Sequence, residues 1–350
     1  LSVTPYGHPI LPLVIDFQAA REAASTIDLP SERAYPGGDD RARWHVARAV
    51  QVFTQYFGVR PQGCWPSEGS VSAPTLGLLE EFGFEWAASG EAVLRHSLTA
   101  SGAWEGERQI ESLHRPYSLP GGELRCFFRS DALSDLIGFT YSKWHGDDAA
   151  ANLVQHLEHL AQSLGEHAGE RVVAIVLDGE NAWEYFPFNA YYFLKAMYER
   201  LSEHPRLRLT TFSRCIAEGI RPRELPRLVA GSWVYGNFAT WIGHPAKNRA
   251  WDLLCEAKHA FDRVVVEGAL DEDAQRAAER QLAVCEGSDW CWWFGDDNPA
   301  EAVSQFDALY RRHLKNLYHL LGEEPPAALD LQIAHGHGAP EHGGVMKRSA

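Results

Sequence analysis

Two short segments of the sequence each place a carboxylate just after a predicted strand. Glu68 follows residues 59–65, which have the composition of a strand, and it lies in a loop rich in proline and glycine. Asp178 directly follows the apolar run 172–177, which predicts a strand buried on both faces of a parallel sheet. A charged residue after such a strand must emerge at the rim of the sheet. Two carboxylates at one rim suit glycoside chemistry, because one can attack the anomeric carbon while the other protonates the leaving oxygen.

Each carboxylate also has a simpler structural interpretation. Glu68 could cap the helix that begins near Pro74, and Asp178 could cap the helix that follows it. For Asp178 the functional interpretation is favoured, because Glu180 and Trp183 lie within the same six residues. Glu180 and Trp183 are therefore candidate substrate-binding residues.

A second group of candidates combines aromatic, amide and charged side chains further along the chain. Flat aromatic faces can pack on the C–H faces of sugar rings, although large aromatic residues mostly belong to protein cores. Core packing is the alternative for any single tryptophan, and we assign Trp251 and Trp292 to the core. The candidate substrate-binding residues of this group are Trp233, Asn237, Trp241, His244, Trp290, Trp293 and Asp296.

The composition argues against several other classes of protein. The 350 residues carry a formal net charge of −15. A nucleic-acid partner would require a basic stripe, and the sequence has none. No apolar run approaches the length of a membrane span, and the first residues do not resemble a signal peptide. The six cysteines include no C-x-x-C pair, which favours buried thiols in a cytoplasmic protein. We therefore expect a cytoplasmic protein without a metal, a cofactor, or a nucleic-acid or membrane partner.

Alternating strand and helix patterns predict the framework that positions these residues. Buried strands that alternate with helices favour a parallel α/β barrel or an open doubly wound sheet. The predicted strands are 59–65, 84–88, 124–128 and 172–177, and the predicted helices of this part begin at Pro74 and cover 152–164.

The pattern changes near Arg221, where a loop rich in proline and glycine is followed by long helices. We expect a barrel domain over residues 1–225, a helical domain over 226–324 and a disordered tail over 325–350. The predicted helices of the second domain cover 248–265, run from Asp271 to about Cys285, and begin at Asn298-Pro299.

Several segments, in the same order along the chain, resemble glycoside hydrolase family 57. The resemblance extends to about residue 324 and is to the branch described broadly as α-amylase or α-mannosidase. It rests on the segments 4–12 (TPYGHPILP), 65–69 (WPSEG), 177–183 (LDGENAW), 237–245 (NFATWIGHP) and 290–297 (WCWWFGDD).

This resemblance implies a fold, a reaction and the roles of individual residues. The fold would be an incomplete (β/α)7 barrel followed by an α-helical domain that contributes to the active site. The reaction would be retaining, metal-independent cleavage or transfer in an α-glucan or oligosaccharide through a covalent glycosyl-enzyme. Glu68 matches the family's nucleophile and Asp178 its general acid/base, while His8, Trp65 and Glu180 match positions near the substrate.

Three alternatives remain, and one segment of the family is missing. A 4-α-glucanotransferase or branching enzyme would use the same intermediate as a hydrolase. A non-catalytic glucan-binding protein would need the aromatic residues but not both carboxylates. A metal-dependent deacetylase would need an Asp and a His-x-x-x-His pair, which the core lacks. The family's His-Gln-Pro segment is absent, which predicts that a first strand is missing and that the barrel and a subsite are incomplete.

Overall fold

The computed structural model describes residues 1–104, 109–178 and 182–338 and has a mixed α/β architecture. Its described strands form one sheet in the spatial order β1-β2-β4-β3-β5, in which β1, β2 and β4 are parallel and β3 is antiparallel to β4. The strands are β1 Gly63–Cys64, β2 Trp86–Gly90, β3 Tyr117–Ser118, β4 Arg125–Arg129 and β5 Arg223–Glu224.

The parallel part of the sheet extends beyond these strands at both sides. Val3 forms a parallel bridge with Cys64 of β1, and Ala174 forms a parallel bridge with Arg129 of β4. The resulting order of neighbours is Val3, β1, β2, β4 and the segment 172–177. Neighbouring parallel strands that are joined by helices are typical of a (β/α) barrel, and their carboxyl ends meet at one rim.

The segment 172–177 differs from its prediction as a strand buried on both faces. It runs beside β4, but Ala174 alone forms a bridge there among the described residues, and its neighbours in the run are only partly buried. Polar side chains bind its backbone past the bridge. The Val176 N–H donates to Ser134 Oγ at 3.3 Å, and Arg129 Nε donates to the Val176 carbonyl at 3.0 Å.

Both helices predicted for the first part are present, although the one predicted over 152–164 begins earlier, at Gly146. The helix expected at Pro74 begins at Ala73, and Ser72 caps it because its hydroxyl accepts a hydrogen bond from the Thr75 N–H. The described helices of this part are α1 Leu11–Ile15, α2 Ala20–Ala23, α3 Gly38–Phe57, α4 Ala73–Glu81, α5 Glu91–Ala100, α6 Gln109–Leu113, α7 Asp131–Asp135, α8 Gly146–Leu164, α9 Tyr191–Ser202 and α10 Phe212–Ala217.

In the described part after residue 226, three long α-helices follow as the change in sequence pattern predicted, together with a short α-helix that was not predicted. Asp271 caps α12 through a hydrogen bond from the Ala274 N–H, as expected from its position. The cap residue of α14 is Pro299, one residue later than predicted. These helices are α11 Pro245–Val266, α12 Glu272–Cys285, α13 Asp289–Trp293 and α14 Ala300–Leu320.

The expectation of a disordered tail from residue 325 is wrong for residues 325–338. Leu329 and Ala334 are buried in the main core. The Asp307 carboxylate on α14 accepts hydrogen bonds from the backbone N–H groups of Ile333 and Ala334, at 2.7 and 3.2 Å. Apolar residues and a buried carboxylate therefore hold this segment against α14. The remaining residues of the predicted tail, 339–350, lie outside the described residues.

One hydrophobic core runs through both predicted domains. It contains residues of α1 and α3 together with residues of α11, α12 and α14. A second core is formed mainly by α7, α8 and α9, around Leu133, Leu153 and Phe193. The helices after residue 226 are thus packed on the sheet-bearing part through shared apolar contacts. Among the described residues, no helix combines the length and the apolar character that crossing a bilayer requires.

A buried carboxylate joins the two parts of this core. Glu286, directly after α12, accepts hydrogen bonds from Tyr35 at 2.6 Å and from Arg41 Nε and Nη2 at 2.8 and 2.6 Å. His45 Nε2 lies 2.7 Å from the same carboxylate. Although burial opposes ionisation, Arg41 and His45 lower the pKa of Glu286 to about 2.

Substitution of Glu286 by glutamine should therefore destabilise the fold. The Arg41 cation would remain buried without its anion, which typically costs on the order of 3 kcal/mol in the free energy of unfolding. Urea titration at pH 7 measures this loss. The matched control is Glu81→Gln, which removes the partner of Arg43 in an exposed ion pair and should change stability little.

The pH dependence of stability gives a second measurement of the same interaction. The folded-state pKa lies below the ordinary value of 4.5, so the stabilisation by Glu286 is complete above pH 4.5 and is lost as the pH falls towards 2. This part of the acid sensitivity should be absent from Glu286→Gln. Equal stability of both proteins at pH 7 would contradict the interpretation.

Candidate active site

Glu68 lies in a strained turn at the carboxyl end of β1. Its φ of 58° is in the left-handed region, within the short 3₁₀ turn Ser67–Gly69. The turn is held by two contacts with neighbouring elements. The Ser89 hydroxyl donates to the Gly69 carbonyl at 2.5 Å, and the Trp233 N–H donates to the Glu68 carbonyl at 3.1 Å. These bonds fix the backbone from which the Glu68 side chain projects.

Trp233 also contacts the Glu68 carboxylate directly. Its indole Nε1–H donates to Glu68 Oε2 at 2.7 Å. The backbone of Trp233 packs on Gly90 at the end of β2, so closely that a Cβ at position 90 would lie 2.5 Å from Trp233 Cα. A tryptophan from beyond residue 226 therefore completes the surroundings of Glu68, and a glycine is needed for its approach.

Asp178 lies at the edge of a small cleft that Trp233 also lines. The end of β4 and the segment 172–177 form one wall of this cleft, and a single π-helical turn, Leu136–Thr140, contributes to another. Such turns often occur at functional sites. The lining residues are Trp65, Arg129, Gly138, Phe139, Val176, Leu177, Asp178 and Trp233.

The sequence analysis did not single out Arg129, which lines the cleft, or the three carboxylates beside it. Arg129 Nη1 and Nη2 donate to Asp131 and Asp135, both at 2.6 Å. Burial raises the pKa of Asp131 to about 6, although Arg129 opposes this shift, and burial also raises the pKa of Glu91. The signal was available, because Arg129 follows the buried pair Phe127-Phe128 as Asp178 follows 172–177.

His8 lies at the junction with the helical part. Its φ of 57° is also left-handed. Its Nδ1 is 2.8 Å from Ser288 Oγ, and its carbonyl accepts from the Ser288 N–H at 3.0 Å. His8 thus follows the Val3 strand position as Glu68 follows β1, and it is fixed by the segment before α13. Its role in substrate binding stays a prediction.

Four other candidates lie among the helices rather than in the lining of the cleft. His244 caps α11 by accepting from the Ala246 N–H, and its Nε2 is 3.5 Å from Asp296 Oδ2. Asn237 accepts a hydrogen bond from the Ala239 N–H in a local turn. Trp293 is stacked on Phe306 with ring centroids 4.7 Å apart. His244 and Asp296 are therefore the pair that the structure brings together in this group.

Two predicted substrate-binding tryptophans are core residues instead. Trp241 has no exposed surface, and Trp290 is packed against Tyr310 while its indole donates to the Val284 carbonyl. Burial of both side chains leaves little ring surface for a sugar in this arrangement. Sequence alone could not separate them from Trp233, since all three are tryptophans within polar, glycine-containing segments.

The remaining candidates are placed differently. Trp183 is partly buried against Phe186 in the second core. Glu180 lies outside the described residues. No group of three or more His, Cys, Asp and Glu side chains with the proximity of metal ligands occurs in the described parts of the chain. Metal independence stays a prediction.

Comparison with known proteins gives a family and a fold. The family model for glycosyl hydrolase family 57 matches residues 1–229. A solved family 57 branching enzyme from Thermococcus kodakaraensis is 17% identical with a TM-score of 0.69, over 91% of this chain and 64% of that enzyme. The family 57-type branching enzyme from Pyrococcus horikoshii is 16% identical with a TM-score of 0.63, over 93% of this chain and 67% of that enzyme.

An α-amylase from Thermotoga maritima has the same fold. It is 16% identical with a TM-score of 0.62, over 91% of this chain and 66% of that enzyme. This chain therefore spans about two thirds of the length of each of these enzymes. The likeness confirms the predicted fold class, an incomplete (β/α)7 barrel followed by helices.

The close packing of Gly90 on Trp233 leads to a testable difference between two glycines. Gly90→Ala should force Trp233 away from Glu68 and lower the free energy of unfolding by about 1–3 kcal/mol, because the added methyl group has no space. Gly77→Ala is the control, since no atom lies within 4 Å of its added Cβ and it is an exposed position of helix α4. It should stabilise the protein by about 0.5–1 kcal/mol. Equal urea midpoints for the two variants would contradict the packing.

Proposed function

The chain belongs to glycosyl hydrolase family 57, and from that premise we propose that it cleaves or transfers α-glucosidic bonds with retention of configuration. Glu68 is the nucleophile and Asp178 the general acid/base in this proposal. The observation that carries it is the shared cleft, in which Asp178 and Trp233 are lining residues and Trp233 binds the Glu68 carboxylate.

The proposed reaction has two steps, formation and release of a covalent glycosyl-enzyme. Glu68 attacks the anomeric carbon and forms an ester, while Asp178 gives its proton to the departing glycosidic oxygen. Asp178 then takes a proton from water or from a sugar hydroxyl, whose oxygen attacks the same carbon and releases Glu68. Two displacements retain the configuration of the anomeric carbon. The hydrogen bond from Trp233 holds one oxygen of the Glu68 carboxylate throughout.

The helical part of the chain contributes to this site in our proposal, as a domain over residues 226–324 following a barrel domain over residues 1–225. The position of Trp233 supports this assignment, because its indole comes from after residue 225 and binds Glu68 in the first part. We also propose a cytoplasmic location, which is supported by six cysteines that are all buried and unpaired.

An α-glucan is the substrate that we propose. Trp65 is the partly exposed tryptophan in the lining of the cleft and offers an aromatic surface for a sugar ring. Branching is the alternative to hydrolysis, since two of the similar structures are branching enzymes and one is an α-amylase. Product analysis with maltoheptaose separates these reactions. Short oligosaccharides indicate hydrolysis, longer linear chains indicate 4-α-glucanotransfer, and new α-1,6 linkages indicate branching.

Replacement of the proposed nucleophile should abolish turnover. Glu68→Gln keeps the shape of the side chain but cannot form the ester, so kcat should fall by at least about 10⁴-fold. Azide should restore turnover in Glu68→Ala and give a glycosyl azide as the product. The exposed Glu123→Gln is the control and should retain wild-type activity. Normal turnover in Glu68→Gln would exclude the nucleophile assignment.

The leaving group of the substrate tests the role of Asp178. Asp178→Asn should depress cleavage of natural glucans severely, while dinitrophenyl glucosides should still form the glycosyl-enzyme because their leaving group needs no proton. Glu180→Gln should weaken cleavage of both substrates similarly and less. If a good leaving group restores Glu180→Gln and not Asp178→Asn, the two roles are reversed.

A further inference from the structure

Arg129 lies between the segments that carry Glu68 and Asp178. It is the last residue of β4, whose neighbours are β2 on one side and the segment 172–177 on the other. Its side chain is among the lining of the cleft, yet the residue is only 2% exposed. A buried cation at this place must be held by specific partners.

Contacts on one side of Arg129 fix the segment that leads to Asp178. Arg129 Nε donates to the carbonyl of Val176, two residues before Asp178, at 3.0 Å. The next residue, Ser130, donates its backbone N–H to the Ala174 carbonyl at 2.8 Å. This segment lacks the regular strand pairing of β2 and β4, so these two bonds and the bond from the Val176 N–H to Ser134 Oγ hold its end beside the cleft.

The contact on the other side fixes the indole that binds Glu68. The guanidinium carbon of Arg129 lies 4.8 Å from the centroid of the Trp233 ring, within the range of a cation–π interaction. Trp233 Nε1 is in turn 2.7 Å from Glu68 Oε2. A continuous series of contacts therefore leads from the Glu68 carboxylate through Trp233 and Arg129 to the backbone before Asp178.

The guanidinium is itself held from behind by two carboxylates of α7. Nη1 donates to Asp131 and Nη2 donates to Asp135, each at 2.6 Å. With Nε bound to Val176, the planar fork is fixed in three directions. A lysine ammonium is a single point of charge and cannot reproduce this geometry.

We propose that Arg129 is a positioning residue that sets the separation and orientation of Glu68 and Asp178 through the Trp233 indole and the Val176 carbonyl. The proposal rests on the proposed function, since it concerns the same pair of carboxylates. Retaining enzymes need these carboxyl groups at a defined distance, about 5–5.5 Å. A displacement of about 1 Å is enough to cost roughly 100-fold in rate.

Kinetics of Arg129→Lys test the consequence for catalysis. The kcat on maltoheptaose should fall about 100-fold while KM changes less than about threefold, because the reacting groups are displaced and the sugar-binding surfaces are retained. Arg125→Lys is the matched control, because Arg125 lies at the other end of the same strand. Within the described residues, its guanidinium donates one hydrogen bond, to the nearby Glu123 carbonyl. It should keep the wild-type kcat. An unchanged kcat in Arg129→Lys would overturn the proposal.

Indole NMR tests the positioning itself, independently of activity. In protein labelled with ¹⁵N-tryptophan, the Trp233 Nε1–H resonance is identified by its loss in Trp233→Phe. This resonance should shift in Arg129→Lys and stay in place in Arg125→Lys. If Arg129→Lys does not fold, Asp135→Asn replaces it, since loss of this anchor should tilt the guanidinium and shift the same resonance. An unmoved resonance in a folded variant would overturn the proposal.

Two further results test the route through Trp233 and distinguish failure of this proposal from failure of the proposed function. If Arg129 acts partly through Trp233, the fold reduction in kcat of the double variant Arg129→Lys/Trp233→Phe should be smaller than the product of the two single reductions. A reduction equal to that product would overturn this route. If the wild-type protein has no activity on any α-glucan or activated glucoside, the proposed function fails. The indole shift then still decides whether Arg129 positions Trp233.

Discussion

The Glu286 carboxylate is the interaction on which the arrangement of the two parts of the chain depends. It follows α12 in the helical part and is bound by Tyr35, Arg41 and His45 from the first part. A buried charge with these partners tolerates little displacement, because every lost hydrogen bond would leave a desolvated polar group. These bonds define the position of the helical part relative to the first part. Trp233 lies in the segment that precedes α11. The Trp233 segment is in addition held beside Glu68 by the paired backbone bonds between Val71 and Gly231.

The cleft follows from a simple property of parallel strands. Their carboxyl ends meet at one rim, and the residue after each strand cannot belong to the packed layer. Arg129 is the last residue of β4, while His8, Glu68 and Asp178 each follow a strand position within a few residues. The charges at this rim are partly compensated within the protein, since Arg129 binds two carboxylates of α7. The geometry that buries the strands therefore also brings the candidate catalytic side chains to the same rim.

Sequence patterns predicted the positions of the helices and singled out two candidate carboxylates, because both have local signals, while the catalytic roles of the carboxylates stay predictions. The cap at Ser72 and the charged residue after 172–177 are examples. Long-range packing had no local signal. Nothing in the sequence distinguishes buried Trp241 from cleft-lining Trp233, because the difference arises from contacts with distant residues. The regularity of the strand predicted at 172–177 was overestimated, because its backbone contacts are also made with distant residues. Polar side chains rather than a neighbouring strand bind its backbone near Val176.

The strained backbone at Glu68 connects stability with the proposed chemistry. A non-glycine residue in the left-handed region costs of order 1–3 kcal/mol and persists only where its surroundings determine the conformation. At Glu68 the surroundings are the Ser89 bond to the Gly69 carbonyl and the Trp233 bond to the Glu68 carbonyl. A relaxed turn would point the carboxylate elsewhere and break its bond with the indole. The strain is therefore consistent with a side chain whose direction matters more than the local stability of its turn.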